Sequence, residues 1–184
     1  MSAGTRDTRD MARRAGRLLV VGIGNPILSD DGVGWRVASA VEALLAAGHS
    51  MPAGQMITVL RVCAGGLALA EALIDYEGAV IVDAALVPYG TPGAVRDSSL
   101  DELSSSLNTS SAHDLTLPAA LHLLRSLGAR VPPDESIRIV MIEAADVWTF
   151  GEAFSPNVEA SVAEAARRVL EALADLSHEA GMER

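Results

Sequence analysis

Val20-Val21-Gly22-Ile23-Gly24-Asn25-Pro26-Ile27-Leu28-Ser29-Asp30-Asp31-Gly32-Val33-Gly34 is the stretch from which the fold is read. An apolar run of strand character enters a glycine turn, and two adjacent carboxylates follow where a helix begins. In an open α/β sheet the carboxyl end of a strand is where ligands bind. Bare backbone N–H groups at that place suit a phosphate. Two acids there suit a cation.

Outward from this stretch, strands and helices alternate. Residues 17–23 read as a short buried strand. Residues 33–45 read as a helix with Val33, Val37, Val41, Leu44 and Leu45 on one apolar stripe, ended by Gly48. A second strand is expected over 56–63 and a short helix over 67–74, after Gly65-Gly66. Residues 79–84 form a continuous apolar run of the kind buried on both faces of a sheet. The Pro- and Gly-rich segment 87–93 is a turn, 94–96 an edge strand, and 98–111 a polar, Ser-rich mobile loop with one helical turn. A helix over 115–127 turns Leu117, Ala120, Leu121 and Leu124 to one side. Pro132-Pro133 links it to a buried strand over 137–142. The last helix, 157–176, places Val158, Val162, Val169 and Leu173 inward and Glu159, Glu164 and Glu171 outward. This rhythm predicts an α/β fold of three layers: a mainly parallel, twisted sheet of about five strands with helices on both faces. The expected organisation is a flexible N-terminal extension over 1–16, a single α/β domain over 17–178, and a C-terminal tail over 179–184.

Composition narrows the function. The 184 residues are 49% hydrophobic and 3% aromatic, so the core is aliphatic. A formal net charge of -10 argues against nucleic acid, since phosphate binding rewards clustered Lys and Arg. One cysteine, Cys63, excludes an intrachain disulfide framework and fits a reducing compartment. Residues 1–18 carry five Arg without an apolar signal core, and no membrane-spanning run is present. The expectation is a cytoplasmic protein with neither membrane nor nucleic-acid partners.

The glycine turn lacks the third glycine of a dinucleotide fingerprint, and Asp30 and Asp31 would repel a pyrophosphate. Helix capping by Ser29 or Asp30 accounts for one acid at this place. A second beside it invites a cation. Asp83 interrupts the apolar third strand at its carboxyl end, where a buried acid needs a partner; taken alone, a nearby loop N–H suffices. His113 stands at the mouth of a helix behind the Ser-rich loop, where taken alone it reads as a cap or surface residue. If these elements open on one sheet edge, two carboxylates and an imidazole form an O,O,N set for a borderline divalent metal such as nickel or zinc. His49 lies in a loop, His178 in the tail, and His122 beside an apolar stripe.

Taken together, Gly22-x-Gly24-Asn25-x-x-x-x-Asp30-Asp31-Gly32-x-Gly34, Val82-Asp83-Ala84 and His113-Asp114-Leu115 resemble the [NiFe]-hydrogenase maturation endopeptidases over nearly the whole chain. The resemblance implies a cytoplasmic aspartyl-type protease acting on one partner, the precursor of a hydrogenase large subunit. It would remove a short C-terminal extension once nickel has been inserted. Asp31, Asp83 and His113 would form the metal and catalytic site, with Asp30 and the Gly65-Gly66 turn facing the substrate. The cofactor implied is nickel carried by the precursor, with other divalent metals able to occupy the site in vitro. Many relatives carry an acid near the glycine turn after the second strand; this chain has Arg61-Val62-Cys63-Ala64-Gly65-Gly66. Cys63 reads as a small buried residue at a strand end. The metal either polarises the scissile carbonyl or serves as a recognition token, leaving a carboxylate as general base. Two other readings are a non-hydrolytic nickel-binding chaperone or sensor, and an enzyme like peptidyl-tRNA hydrolase, whose opening Val21-Gly22-Ile23-Gly24-Asn25-Pro26 resembles.

Overall fold

The computed structural model describes residues 16–49, 51, 55–106 and 115–182. Among these, β1 (Gly16–Ile23) leads through a short 3-10 turn (Ser29–Gly32) into α1 (Val33–Ala46), followed by β2 (Gln55–Val62) and α2 (Gly66–Ala72). Then come β3 (Gly78–Ala85), β4 (Val95–Ser98), α3 (Leu100–Ser106), α4 (Leu117–Ser126), β5 (Ile137–Glu143) and α5 (Pro156–Met182). The strands form one sheet in the order β2-β1-β3-β5-β4. All neighbours run parallel except the β4–β5 pair.

Connection length explains the exception. A parallel crossover needs a dozen or more residues, and the link from β3 to β4 is shorter. The chain must therefore return antiparallel, and since β1 and β5 already flank β3, β4 lands outside β5. Right-handed crossovers set the layers. Stepping from β1 to β2 puts α1 on one face; stepping back past β1 to β3 puts α2 on the other. Accordingly Val33, Val37 and Val41 share a core cluster with Val158, Val169 and Leu173 of α5. Leu69, Leu73, Leu103, Leu117 and Leu121 fill the opposite cluster. The helices after β1 and β3 thus leave on different faces, and a crevice opens between the carboxyl ends of these two strands.

The glycines quoted at the outset serve this junction. A Cβ on Gly34 would stand 2.2 Å from the Ile23 carbonyl oxygen and 2.6 Å from that of Val82. A Cβ on Gly22 would stand 2.2 Å from the Gly34 carbonyl. Helix α1 therefore starts in direct backbone contact with β1 and β3, a distance only glycine permits.

The α/β, five-stranded, mainly parallel expectation holds, and so does the edge strand. Three details differ. Leu44, placed on the buried stripe of α1, is 39% exposed, while Val33, Val37 and Val41 are fully buried. The last helix runs on to Met182, through the first part of the expected tail. Residues 100–106 form two helical turns rather than one within the Ser-rich segment. Of the expected extension over 1–16, Gly16 opens β1 and residues 1–15 lie outside the described residues, as do residues 107–114, which include His113, and residues 183–184. Among the described residues, no helix is long and apolar enough to cross a membrane.

Candidate functional site

Asp31 and Asp83 meet at the crevice between β1 and β3. Asp31 lies in the 3-10 turn that follows β1, half-buried, with its Oδ2 accepting from the Asn25 N–H at 2.6 Å. Asp83 lies in the last turn of the pleat in β3, paired with Met141 of β5 and only 4% exposed. Strand alternation sends Val82 and Ala84 into the α1/α5 cluster, so Asp83 faces the α2/α4 side with Ile81 and Ala85. Its Oδ1 accepts from the Ala84 N–H at 2.9 Å, the local N–H partner expected for an isolated acid.

One backbone donor does not offset that burial. Desolvation pushes the Asp83 carboxyl up to about 8; the Ala84 N–H works against the shift, and the charge of nearby Asp31 adds to it. Positive charge brought beside Asp83, such as a divalent cation, would restore its ionised form. Among the described residues no group of three His, Cys, Asp or Glu side chains is assembled for a metal, and His113 lies outside them.

A pH signature follows. Asp83 holds its proton in the folded chain up to about 8, whereas the unfolded value is 3.8. Across that window the folded state binds more protons, so stability falls as pH rises. Thermal melts from pH 5 to 8 in chelator should show this decline, with the slope removed in Asp83→Asn. Added divalent metal should bind more tightly toward pH 8, as the proton it displaces becomes easier to remove.

The second acid behaves differently. Asp30, expected to face substrate, is 0% exposed. Its Oδ2 accepts from the Ala145 N–H at 2.9 Å, the Asp146 N–H at 3.1 Å and the Ser155 hydroxyl at 2.9 Å, and its Oδ1 accepts from the Ser155 N–H at 2.6 Å. No side-chain cap forms on α1, contrary to the capping expectation. Asp30 instead ties together the two ends of the loop between β5 and α5. Ala145, Asp146 and Ser155 escaped the sequence reading because their link to Asp30 spans more than a hundred residues; the aromatic pair Trp148 and Phe150, in a chain poor in aromatics, was the available signal.

The turn after β2 lies on the same edge. Gly66 has φ +54, and a Cβ there would stand 2.3 Å from the Leu115 carbonyl oxygen. Glycine is thus required for the segment entering α4 to pass against the start of α2. That segment is the one His113 precedes by two residues. Arg61 turns to α1, donating to the Ser39 hydroxyl at 2.9 Å and pairing with Glu42 at 2.5 Å. Cys63 is exposed rather than buried, because β2 ends one residue before it.

Comparison with known proteins bears on family and fold. The family described as hydrogenase maturation protease matches residues 38–172. The hydrogenase 2 maturation protease of Escherichia coli K12 is 28% identical over 167 residues, covering 89% of this chain and 94% of that protein. Among solved structures, the hydrogenase maturating endopeptidase HybD of Escherichia coli superposes with a TM-score of 0.65 at 26% identity, covering 85% of this chain and 91% of its own. A hydrogenase 2 maturation peptidase from a Thaumarchaeota archaeon gives a TM-score of 0.57 at 28% identity, over 85% of this chain and 97% of its own.

Proposed function

The chain belongs to the hydrogenase maturation protease family, and from that premise we propose that it is an endopeptidase removing the C-terminal extension of a [NiFe]-hydrogenase large-subunit precursor after nickel insertion. The observation that supports this reading is the nearness of two carboxyls, Asp31 and Asp83, at the crevice between β1 and β3, with Asp83 buried and desolvated.

In this reading nickel arrives as part of the substrate. Asp31, Asp83 and His113 hold it, and in doing so fix the adjoining peptide bond in place; positioning of this kind contributes much of an enzyme's rate enhancement. The carboxylate oxygen left outside the nickel shell takes a proton from the attacking water. The Gly65-Gly66 turn flanks the crevice from the β2 side. Asp30 acts from within, as a positioning residue for the loop beside the site.

The test uses purified protein with precursor in two forms, nickel-loaded and nickel-free, followed by mass spectrometry. Loss of a C-terminal fragment from the nickel-loaded form alone is the expected result. An uncut precursor that nevertheless gives up its nickel to this chain would replace the protease by the chaperone reading.

A further inference from the structure

The loop between β5 and α5 is a built platform, and its two largest side chains point at water. Val147 is 1% exposed and anchors it, while Trp148 is 65% and Phe150 80% exposed. Asp30 clamps its ends. Its middle pairs with the loop after β1: Ser29 N–H donates to the Gly151 carbonyl at 2.7 Å, and Gly151 N–H to the Ile27 carbonyl at 3.0 Å. Within it, Asp146 Oδ1 accepts from the N–H groups of Trp148 and Thr149 at 2.9 and 3.0 Å. So ordered a backbone presents its aromatics without further loss of entropy on binding.

The neighbouring loops continue the surface. Ile27 is 49% exposed, and in the loop after β3 Leu86 is 41% and Tyr89 106% exposed. That loop is tied to the same end of β5, the Thr91 N–H donating to Glu143 at 2.6 Å. Every fully or largely exposed aromatic of the described residues therefore stands on this edge; the exposed large residues elsewhere, such as Leu127, are aliphatic. Beside the buried Asp30, segments 24–32, 86–94 and 144–155 contain Asp31, Asp146 and Glu152 but no Lys or Arg. Trp and Tyr are the residues on which binding energy concentrates in protein interfaces.

We propose that Trp148 and Phe150, with Ile27 and Tyr89, form the docking surface for an apolar, positively charged segment of the precursor, and that they decide which precursor is accepted. The proposal rests on the protease reading above. It commits the occupant to a polypeptide segment of the substrate, because the surface is continuous with the Asp31 turn through the Ile27–Gly151 pairing and because its only charges are acidic.

Binding of nickel-loaded precursor is measured by calorimetry, and cleavage by steady-state kinetics, for wild type, Trp148→Ala/Phe150→Ala, Asp146→Asn/Glu152→Gln and Leu127→Ala. The aromatic double variant should lose about tenfold or more in affinity. Its KM should rise in parallel, with kcat within about threefold of wild type, since nothing at the reacting bond has changed. The acid-to-amide variant should bind more weakly at low salt and show a flatter salt dependence. Leu127→Ala should match wild type. Circular dichroism confirms folding, expected because Trp148, Phe150, Glu152 and Leu127 are exposed and Asp146→Asn keeps an acceptor oxygen for the Trp148 and Thr149 N–H groups. An unchanged affinity and KM in the aromatic double variant overturns the docking proposal while leaving the protease reading intact. Self-association of wild type that this variant abolishes, with precursor affinity unchanged, overturns it in favour of a second copy of the chain. A wild type that neither binds nor cuts the precursor overturns the protease reading, and the proposal with it.

Discussion

Asp31→Ala should fold normally yet process nickel-loaded precursor at least about a hundredfold more slowly than wild type. The fold survives because Asp31 is half-buried in a turn and contributes to no core cluster. What disappears is one of two carboxylates at the crevice, and with it the placement of nickel and scissile bond. His113→Ala should lose a comparable factor, as the third member of the same set. His122→Ala is the control; His122 is exposed on α4 and away from the acids, and cleavage should be unchanged. The measurement is a gel shift of the precursor over time, with circular dichroism on each variant. Full processing by folded Asp31→Ala would remove the acid pair from the mechanism.

Asp30→Ala should fail in a different way, by losing stability. Its carboxylate accepts four hydrogen bonds at 0% exposure, three of them from backbone N–H groups of Ala145, Asp146 and Ser155. Truncation strands those donors in a site closed to water and leaves a cavity, at a combined cost of about 3–5 kcal/mol. For a chain of this length that lowers the melting temperature by roughly 10 °C or more. Asp30→Asn should recover only part of it, because an amide has one acceptor oxygen where the carboxylate has two. Thermal denaturation by circular dichroism measures both. An Asp30→Ala protein as stable as wild type, yet inactive, would return Asp30 to the reacting centre. Adjacent acids thus have opposite expected phenotypes, one catalytic and one structural.

Much of this was legible from residue order. Strand and helix periodicities are local, so the elements, the α/β class and even the edge strand over 94–96 followed from patterns a few residues long. The quoted glycine and acid stretch, Val82-Asp83-Ala84 and His113-Asp114-Leu115 pointed to the family without reference to distance. Errors arose where the deciding partner is remote. Leu44 has the right helical spacing for burial, but the neighbouring layer does not reach it, and it is 39% exposed. Cys63 looked like a buried strand end because nothing local marks where sheet pairing stops.

The sequence by itself determined the fold class, the family and the identity of the candidate ligands, since those depend on residue types at short or fixed spacing. The resemblance placed Asp31 in the site and Asp30 toward substrate; only the tertiary structure showed that Asp30 is buried and ties a loop instead. Both are acids in the same turn, and the difference is which way a 3-10 backbone aims each side chain: one toward Ala145 and Ser155, the other toward Asn25 and the crevice near Asp83. Tertiary structure likewise decided that Asp83 sits in a desolvated position with its carboxyl at about 8, and that Trp148 and Phe150 stand exposed beside the site. Burial and electrostatic environment are sums over neighbours from several strands and loops, and chain order alone does not contain them.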